Sequence, residues 1–144
     1  EHGGIIRHGA KVLYAYAEAS VPKITVILRK AYGGAYIAMN SKELGADIVY
    51  AWPIAQIAVM GADGAVDIIF KKQLEAAGGD ASVKDKYIKV YEDRFMNPYI
   101  AAARGFVDEV IKPEETREKV ALALEMLKGK RRKNLPSEHG NIPL

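Results

Sequence analysis

Two short apolar runs, residues 47–51 (DIVYA) and 55–60 (AQIAVM), stand only a few residues apart around Trp52-Pro53. Each reads as a strand, apolar and bounded by turn-forming residues. A parallel crossover needs a dozen or more residues, so this gap cannot hold one. A helical pattern follows at 62–77, with Val66, Ile69, Phe70 and Leu74 at the spacing of one buried side. The unit is therefore strand–strand–helix rather than strand–helix–strand. Strands alternating with helices along the rest of the chain place it in the α/β class.

The other elements fit that pattern. Residues 1–20 read as a helix with Ile5, Ile6, Gly9, Val12, Leu13 and Tyr16 on one side, and with many small residues suited to close packing. The chain starts inside this pattern without a capping residue, so a longer natural protein is expected. Val21-Pro22 ends the helix. Residues 23–29 (KITVILR) read as a buried strand, followed by Gly33-Gly34 and a short helix over 35–39. Past the loop at 78–80, a helix opens at Ser82 with Tyr87, Ile88, Tyr91 and Phe95 inside, and Asn97-Pro98 restarts it over 99–104. Residues 106–111 (FVDEVI) read as a last strand. Pro113 suits the first position of a final helix, with Glu114 and Glu115 at its positive end and Val120, Leu124 and Leu127 facing inward. No repeat of solenoid length is present. The expected organisation is a packed part over residues 1–128 and a basic, extended tail over 129–144.

The Gly-Gly turn is the candidate site. Strand, paired glycines and helix start direct two or three backbone N–H groups at one spot, with the positive helix end behind them. Such a hole suits an oxygen gaining negative charge, a thioester enolate or a ureido carbonyl. The plainer alternative, a tight turn and nothing more, stands beside it. Side chains offer little competition: there is no Gly-x-Ser-x-Gly elbow, no His-Glu-x-x-His, no P-loop lysine after Gly61, and no third glycine of a dinucleotide fingerprint. His2, His8 and His139 lack the spacing of metal ligands, and Asp63 and Asp67 read as carboxylates answering a helix N-terminus. A reactive base would have to come from a cofactor or another chain segment.

Charge narrows the partners. Lys128, Lys130, Arg131, Arg132 and Lys133 are clustered, and without those five cations the formal charge falls from +3 to −2. The basicity belongs to a tail rather than to an aromatic-studded binding face, which argues against nucleic acid. No apolar run approaches the ~20 residues of a membrane helix, so no membrane insertion is expected. The chain contains no cysteine, which excludes disulfides and thiolate metal sites and fits the reducing cytoplasm.

EHGGIIRHGAK (1–11), RKAYGGAY (29–36), AWP (51–53), AVMGADGAV (58–66), NPYIAAARGFVDEVI (97–111) and HGNIPL (139–144) occur in that order over nearly the whole chain. In these motifs it resembles the carboxyltransferase β subunits of biotin-dependent acyl-CoA carboxylases, the propionyl-CoA carboxylase type most nearly, with methylmalonyl-CoA decarboxylase subunits close behind. The resemblance implies a crotonase-like fold, of which this chain is the later part of the second of two tandem domains. It implies that carboxybiotin, carried on another subunit or domain, releases CO2 in the site, and that the ureido nitrogen then takes the α-proton of an acyl-CoA such as propionyl-CoA. Two backbone oxyanion holes assist, one in the N-terminal domain for the thioester oxygen and one in the C-terminal domain for the biotin oxygen. The second maps onto the N–H groups of Gly34 and Ala35, with Gly33 permitting the turn.

Further expectations follow from the same resemblance. Ile37 stands where several family members carry an acidic residue thought to influence acyl-chain choice, so it is a candidate for substrate selection and puts a propionyl preference in doubt. Met60 and Gly61 are candidates to line the same pocket. The partners are the N-terminal carboxyltransferase domain, a biotin carboxyl carrier or biotin carboxylase subunit, and further copies in a ring of six. The alternatives are a decarboxylase subunit running the transfer from methylmalonyl-CoA to biotin, and a packing module without chemistry of its own.

Overall fold

The computed structural model describes residues 2–131 and Gly140. Strands β1 (Ile24–Ile27), β3 (Ile48–Ala51) and β5 (Glu109–Val110) form one parallel sheet in the order β1-β3-β5, while β2 (Lys30–Tyr32) and β4 (Gln56–Ala58) form a second. The chain passes from the first sheet to the second twice, from β1 to β2 and from β3 to β4, and each passage is followed by a helix: α2 (Gly33–Ala38) and α3 (Ala62–Ile69). The neighbouring strands β3 and β4 thus need no crossover, because each pairs with a strand of the preceding unit. Ile24 pairs with Ile48 and Ala31 with Ile57. The strand–strand–helix reading is correct, and β2 is the piece it lacked.

Position within the first sheet explains the sequence of β3. It is the central strand, flanked on both edges, and Val49 and Ala51 are wholly buried. A parallel strand covered on both faces reads as a continuous apolar run. One core gathers Ile27, Ala31, Val49, Ala51, Ala55 and Val107; a second gathers Tyr50, Ile111 and Ala123 of α7 (Thr116–Leu127). Trp52 Nε1 donates to Thr116 Oγ1 at 2.9 Å, bracing α7 against the end of β3.

Several expected elements differ in extent. The helix expected over 62–77 is two, α3 and α4 (Lys71–Ala76), meeting at Phe70, whose ring stacks on Tyr87 at 4.5 Å. Asp67 as well as Asp63 pairs with Lys84 of α5 (Ala81–Phe95), so these carboxylates tie two helices together. The strand expected over 106–111 shrinks to β5 because the Asp108 side chain takes over part of the ladder: Val49 N–H donates to Asp108 Oδ2 at 2.8 Å, and Asp108 N–H donates to Val49 O. Asn97 caps α6 (Pro98–Ala103) by accepting from Ile100 N–H, with Pro98 in the first turn. Pro113 opens a 3-10 turn ahead of α7, in which Ala123 is buried while Leu124 is half exposed. α1 (Ile5–Glu18) buries none of its residues, and Ile5 and Ile6, expected on its packed side, are exposed. His2 and His8 are exposed as well, and His139 lies outside the described residues. Among the described residues no helix is long and apolar enough to cross a membrane.

The basic run begins inside the packed structure. Lys130 Nζ donates to Val21 O at 2.9 Å and to Asp47 Oδ2 at 2.7 Å, fastening the end of α7 to the start of the first sheet. The rest of the expected tail, apart from Arg131 and Gly140, lies outside the described residues.

Candidate oxyanion site on the first turn of helix α2

Tyr32 leaves β2 in an extended conformation and is the residue before the first turn of α2; its side chain makes no capping hydrogen bond. Gly33 then adopts φ +57°, and a Cβ there would stand 2.9 Å from Val59 O. Only glycine meets both demands, a left-handed backbone and direct contact with the β4–α3 connection. Alternation along β2 turns the Gly33 N–H toward β4. The next two amides, of Gly34 and Ala35, fall in the first helical turn, where no intrahelical acceptor exists. Both residues are exposed, and a Cβ on Gly34 would meet nothing within 4 Å. Two adjacent N–H groups therefore stand on an exposed helix start that no side chain caps, the short α2 adding a modest positive end.

The turn stands between two cavities. The larger, about 660 Å³, is apolar and is lined by Gly33 and Ile37 of α2, Ile57 of β4, Val59 just after it, and Phe95 and Phe106. Its charged lining groups are Glu43, Arg94 and Arg104, and the Arg94 guanidinium lies 5.3 Å from the Phe95 ring centre. A second, about 500 Å³, runs along residues 25–32 and is closed by Ala35, Tyr36 and Met39. Tyr36 is the wall between them. Its hydroxyl is shielded from solvent and has no hydrogen-bond partner among the described residues; burial, and then the nearby Glu43 carboxylate, push its pKa up.

Gly33, Gly34, Ala35 and Ile37 are thus brought together on one short helix. Met60 and Gly61 line neither cavity. Gly61 precedes α3, with the Tyr32 ring 3.8 Å from where its Cβ would be, and Met60 is exposed beside Gly64. Tyr36, Arg94 and Arg104 were not singled out in the sequence. Tyr36 had one signal, its place directly after Gly-Gly-Ala; the two arginines had none, since they meet α2 only through tertiary packing. Among the described residues, no three His, Asp or Glu side chains are grouped for metal binding. What the arrangement offers is a pair of fixed amide dipoles, suited to an oxygen that gains charge, beside an apolar chamber.

A model of the carboxyl transferase domain matches residues 1–142. The chain belongs to this family. Within it, the chain is 59% identical over 144 residues to the carboxyltransferase subunit of propionyl-CoA carboxylase from Haloferax mediterranei, and 58% identical over 144 residues to methylmalonyl-CoA decarboxylase subunit alpha from Propionigenium modestum. Each alignment covers 100% of this chain and 28% of the relative. Among solved structures, it superimposes with a TM-score of 0.92 and 58% identity on transcarboxylase 12S, a hexamer crystallised with methylmalonyl-coenzyme A and methylmalonic acid bound; the match covers 99% of this chain and 28% of that one. The chain therefore has the crotonase-like fold and spans about 28% of the length of such relatives.

Proposed function

We propose that the chain is part of the carboxyltransferase component of a biotin-dependent acyl-CoA carboxylase, which moves CO2 from carboxybiotin to the α-carbon of a short acyl-CoA such as propionyl-CoA. The observation that carries this reading is the uncapped pair of amides, Gly34 and Ala35, beside the apolar cavity. The residues fit a ureido oxygen, because both amides belong to an exposed first helical turn that no side chain caps. Biotin, when bound, supplies the carried CO2 and the basic nitrogen. The Gly34 and Ala35 N–H groups hold its oxygen and favour the negative charge there, while Gly33, fixed against Val59, sets their direction. Ile37, 45% exposed on the cavity wall, offers the acyl group an apolar surface and so tunes which chain is accepted. Met60 and Gly61, in the connection between β4 and α3 next to Val59, are the remaining candidates for contact with the cofactor.

This reading places the missing chemistry elsewhere in the assembly. An N-terminal carboxyltransferase domain supplies the thioester hole, a carrier subunit brings the biotin, and copies of the whole subunit assemble as a hexamer in the cytoplasm; residues 1–128 are its packed part and 129–144 its tail. The reverse reaction, decarboxylation of methylmalonyl-CoA, is the second reading, supported by nearly equal identity to a decarboxylase subunit.

Replacing Gly34 with proline in the full-length subunit tests the amide role. Proline is tolerated in a first helical turn and removes one N–H. Loss of one oxyanion donor costs roughly 100- to 1,000-fold in turnover. That loss is expected with the oligomer size unchanged. Gly34→Ala, which keeps the N–H but puts a methyl group in the open space, is expected to weaken carrier use as well. Normal turnover in both variants would reject the site.

A further inference from the structure

β2 and β4 pair only with each other among the described residues, over three residues each. So short a ladder holds its ends weakly, yet the end of β2 is where the amide pair begins. Tyr32 is at once the last residue of β2 and the residue before α2, so its backbone sets where Gly33, Gly34 and Ala35 point. Nothing on α2 itself corrects an error there, since no side chain caps its first turn.

The Tyr32 side chain supplies the missing restraint. Tyr32 stands level with Ala58 in the register, but its hydroxyl reaches back along β4 and donates to Gln56 Oε1 at 2.6 Å. Its ring meets the far end of the same segment, with the ring edge 3.8 Å from where a Cβ on Gly61 would be. Between Gln56 and Gly61 lies Val59, the residue whose carbonyl oxygen leaves no room for a Cβ on Gly33. One side chain therefore ties the residue ahead of the turn to both ends of the connection against which the turn is pressed. Burial, and then the Glu92 carboxylate, push the Tyr32 pKa up against an opposing pull from Arg29, so the hydroxyl keeps its proton and donates. An ordinary cross-strand pair would stabilise the sheet and no more. This one ends on the residue from which the two amides are aimed.

We propose that Tyr32 is a positioning residue for the oxyanion site: through its hydroxyl bond to Gln56 it fixes the angle at which the Gly34 and Ala35 N–H groups meet the ureido oxygen. Tyr32 touches no reacting atom, and the inference stands on the use of those two amides proposed above. Without the bond the ladder still forms and α2 still starts at Gly33, but the amides are free to swing. Oxyanion donors work only when held at hydrogen-bond distance from the oxygen that gains charge.

Tyr32→Phe and Gln56→Met, made in the full-length subunit and assayed with its biotin carrier, test it. Each removes one partner of the bond and keeps most of the volume. Each is expected to lower kcat and kcat/KM together by roughly 10-fold, less than the loss of a whole donor, with the oligomer size unchanged. The double variant is expected to be no worse than either single one, as two groups acting through one bond require. The deciding readout is the Gly34→Pro background. With that amide already gone, Tyr32→Phe has little left to aim and is expected to lose most of its effect. An undiminished loss in that background would mean that Tyr32 serves the fold at large, and overturns the proposal; so does normal turnover in both single variants. Normal turnover in Gly34→Pro itself is a different result, which removes the amide reading and this inference with it. Should Tyr32→Phe not assemble, Gln56→Met in the two backgrounds decides alone.

Discussion

Lys130 Nζ and Asp47 Oδ2, 83 residues apart in sequence, are 2.7 Å apart in the fold, and their side chains are only 14% and 20% exposed. The same carboxylate oxygen accepts the Lys23 backbone N–H at 2.7 Å. Lys23, 5% exposed, is itself held through its Nζ by Tyr16 O at 2.7 Å. The start of the first sheet is thus fastened to α1 on one side and to the end of α7 on the other.

Removing the Lys130 charge should loosen this joint measurably. A hydrogen bond to a charged group contributes about 1.5–3 kcal/mol, and Lys130→Met is expected to lower stability by about that amount at neutral pH. The pH dependence follows from Asp47. Burial alone would raise its pKa, but the Lys130 and Lys23 hydrogen bonds and charges outweigh burial and hold it below 3.8. A carboxyl depressed on folding stabilises fully above its unfolded pKa and loses that contribution as the pH falls through its folded pKa. Denaturant melts from pH 7 downward should show wild type and Lys130→Met converging only in that acid range. A constant gap down to pH 2 would remove Asp47 from the account.

Adjacent glycines should respond in opposite ways. Alanine at position 33 must adopt φ +57° and bring a Cβ to 2.9 Å from Val59 O. The left-handed backbone alone costs roughly 1–2 kcal/mol, and the clash forces α2 to shift. Alanine at position 34 meets no atom and keeps an ordinary φ. Thermal melts should therefore place Gly33→Ala well below wild type and Gly34→Ala within about 0.5 kcal/mol of it. Equal losses at both positions would mean that the second glycine also serves the turn, leaving no steric reason to reserve it for a ligand.

The sequence disclosed most where one local rule decided the outcome. The short gap around Pro53 required strand–strand–helix units, and the Gly33-Gly34 pair marked the turn into α2. It disclosed least where tertiary partners decided. β2 is three residues long and is recognisable only through its register with Gln56–Ala58. The run 106–111 reads locally as one strand, yet the Asp108 side chain replaces the backbone near its start. α1 has the periodicity of a packed helix but covers little within this chain, since periodicity reports an apolar side and not what meets it. Arg94 and Arg104 reach the cavity at Ile37 from elements some 60 residues away in sequence, which no local pattern could show.

Asp108 offers the sharpest check on that substitution of side chain for backbone. Its Oδ2 accepts from Val49 N–H at 2.8 Å and from Lys42 Nζ at 2.7 Å, and Val49 is fully buried. Asparagine in its place can still accept the Val49 N–H but loses the charge. Because the Lys42–Asp108 pair is substantially exposed, that loss should amount to about 1 kcal/mol or less. Alanine leaves a buried backbone donor without an acceptor, at about 1–3 kcal/mol. Asp108→Ala is therefore expected to be clearly less stable than Asp108→Asn, and to accelerate hydrogen exchange at the Val49 amide, which Asp108→Asn should leave slow. If both variants released that amide equally, the ion pair with Lys42, and not the ladder position of the carboxylate, would be what holds the end of β5 to the central strand.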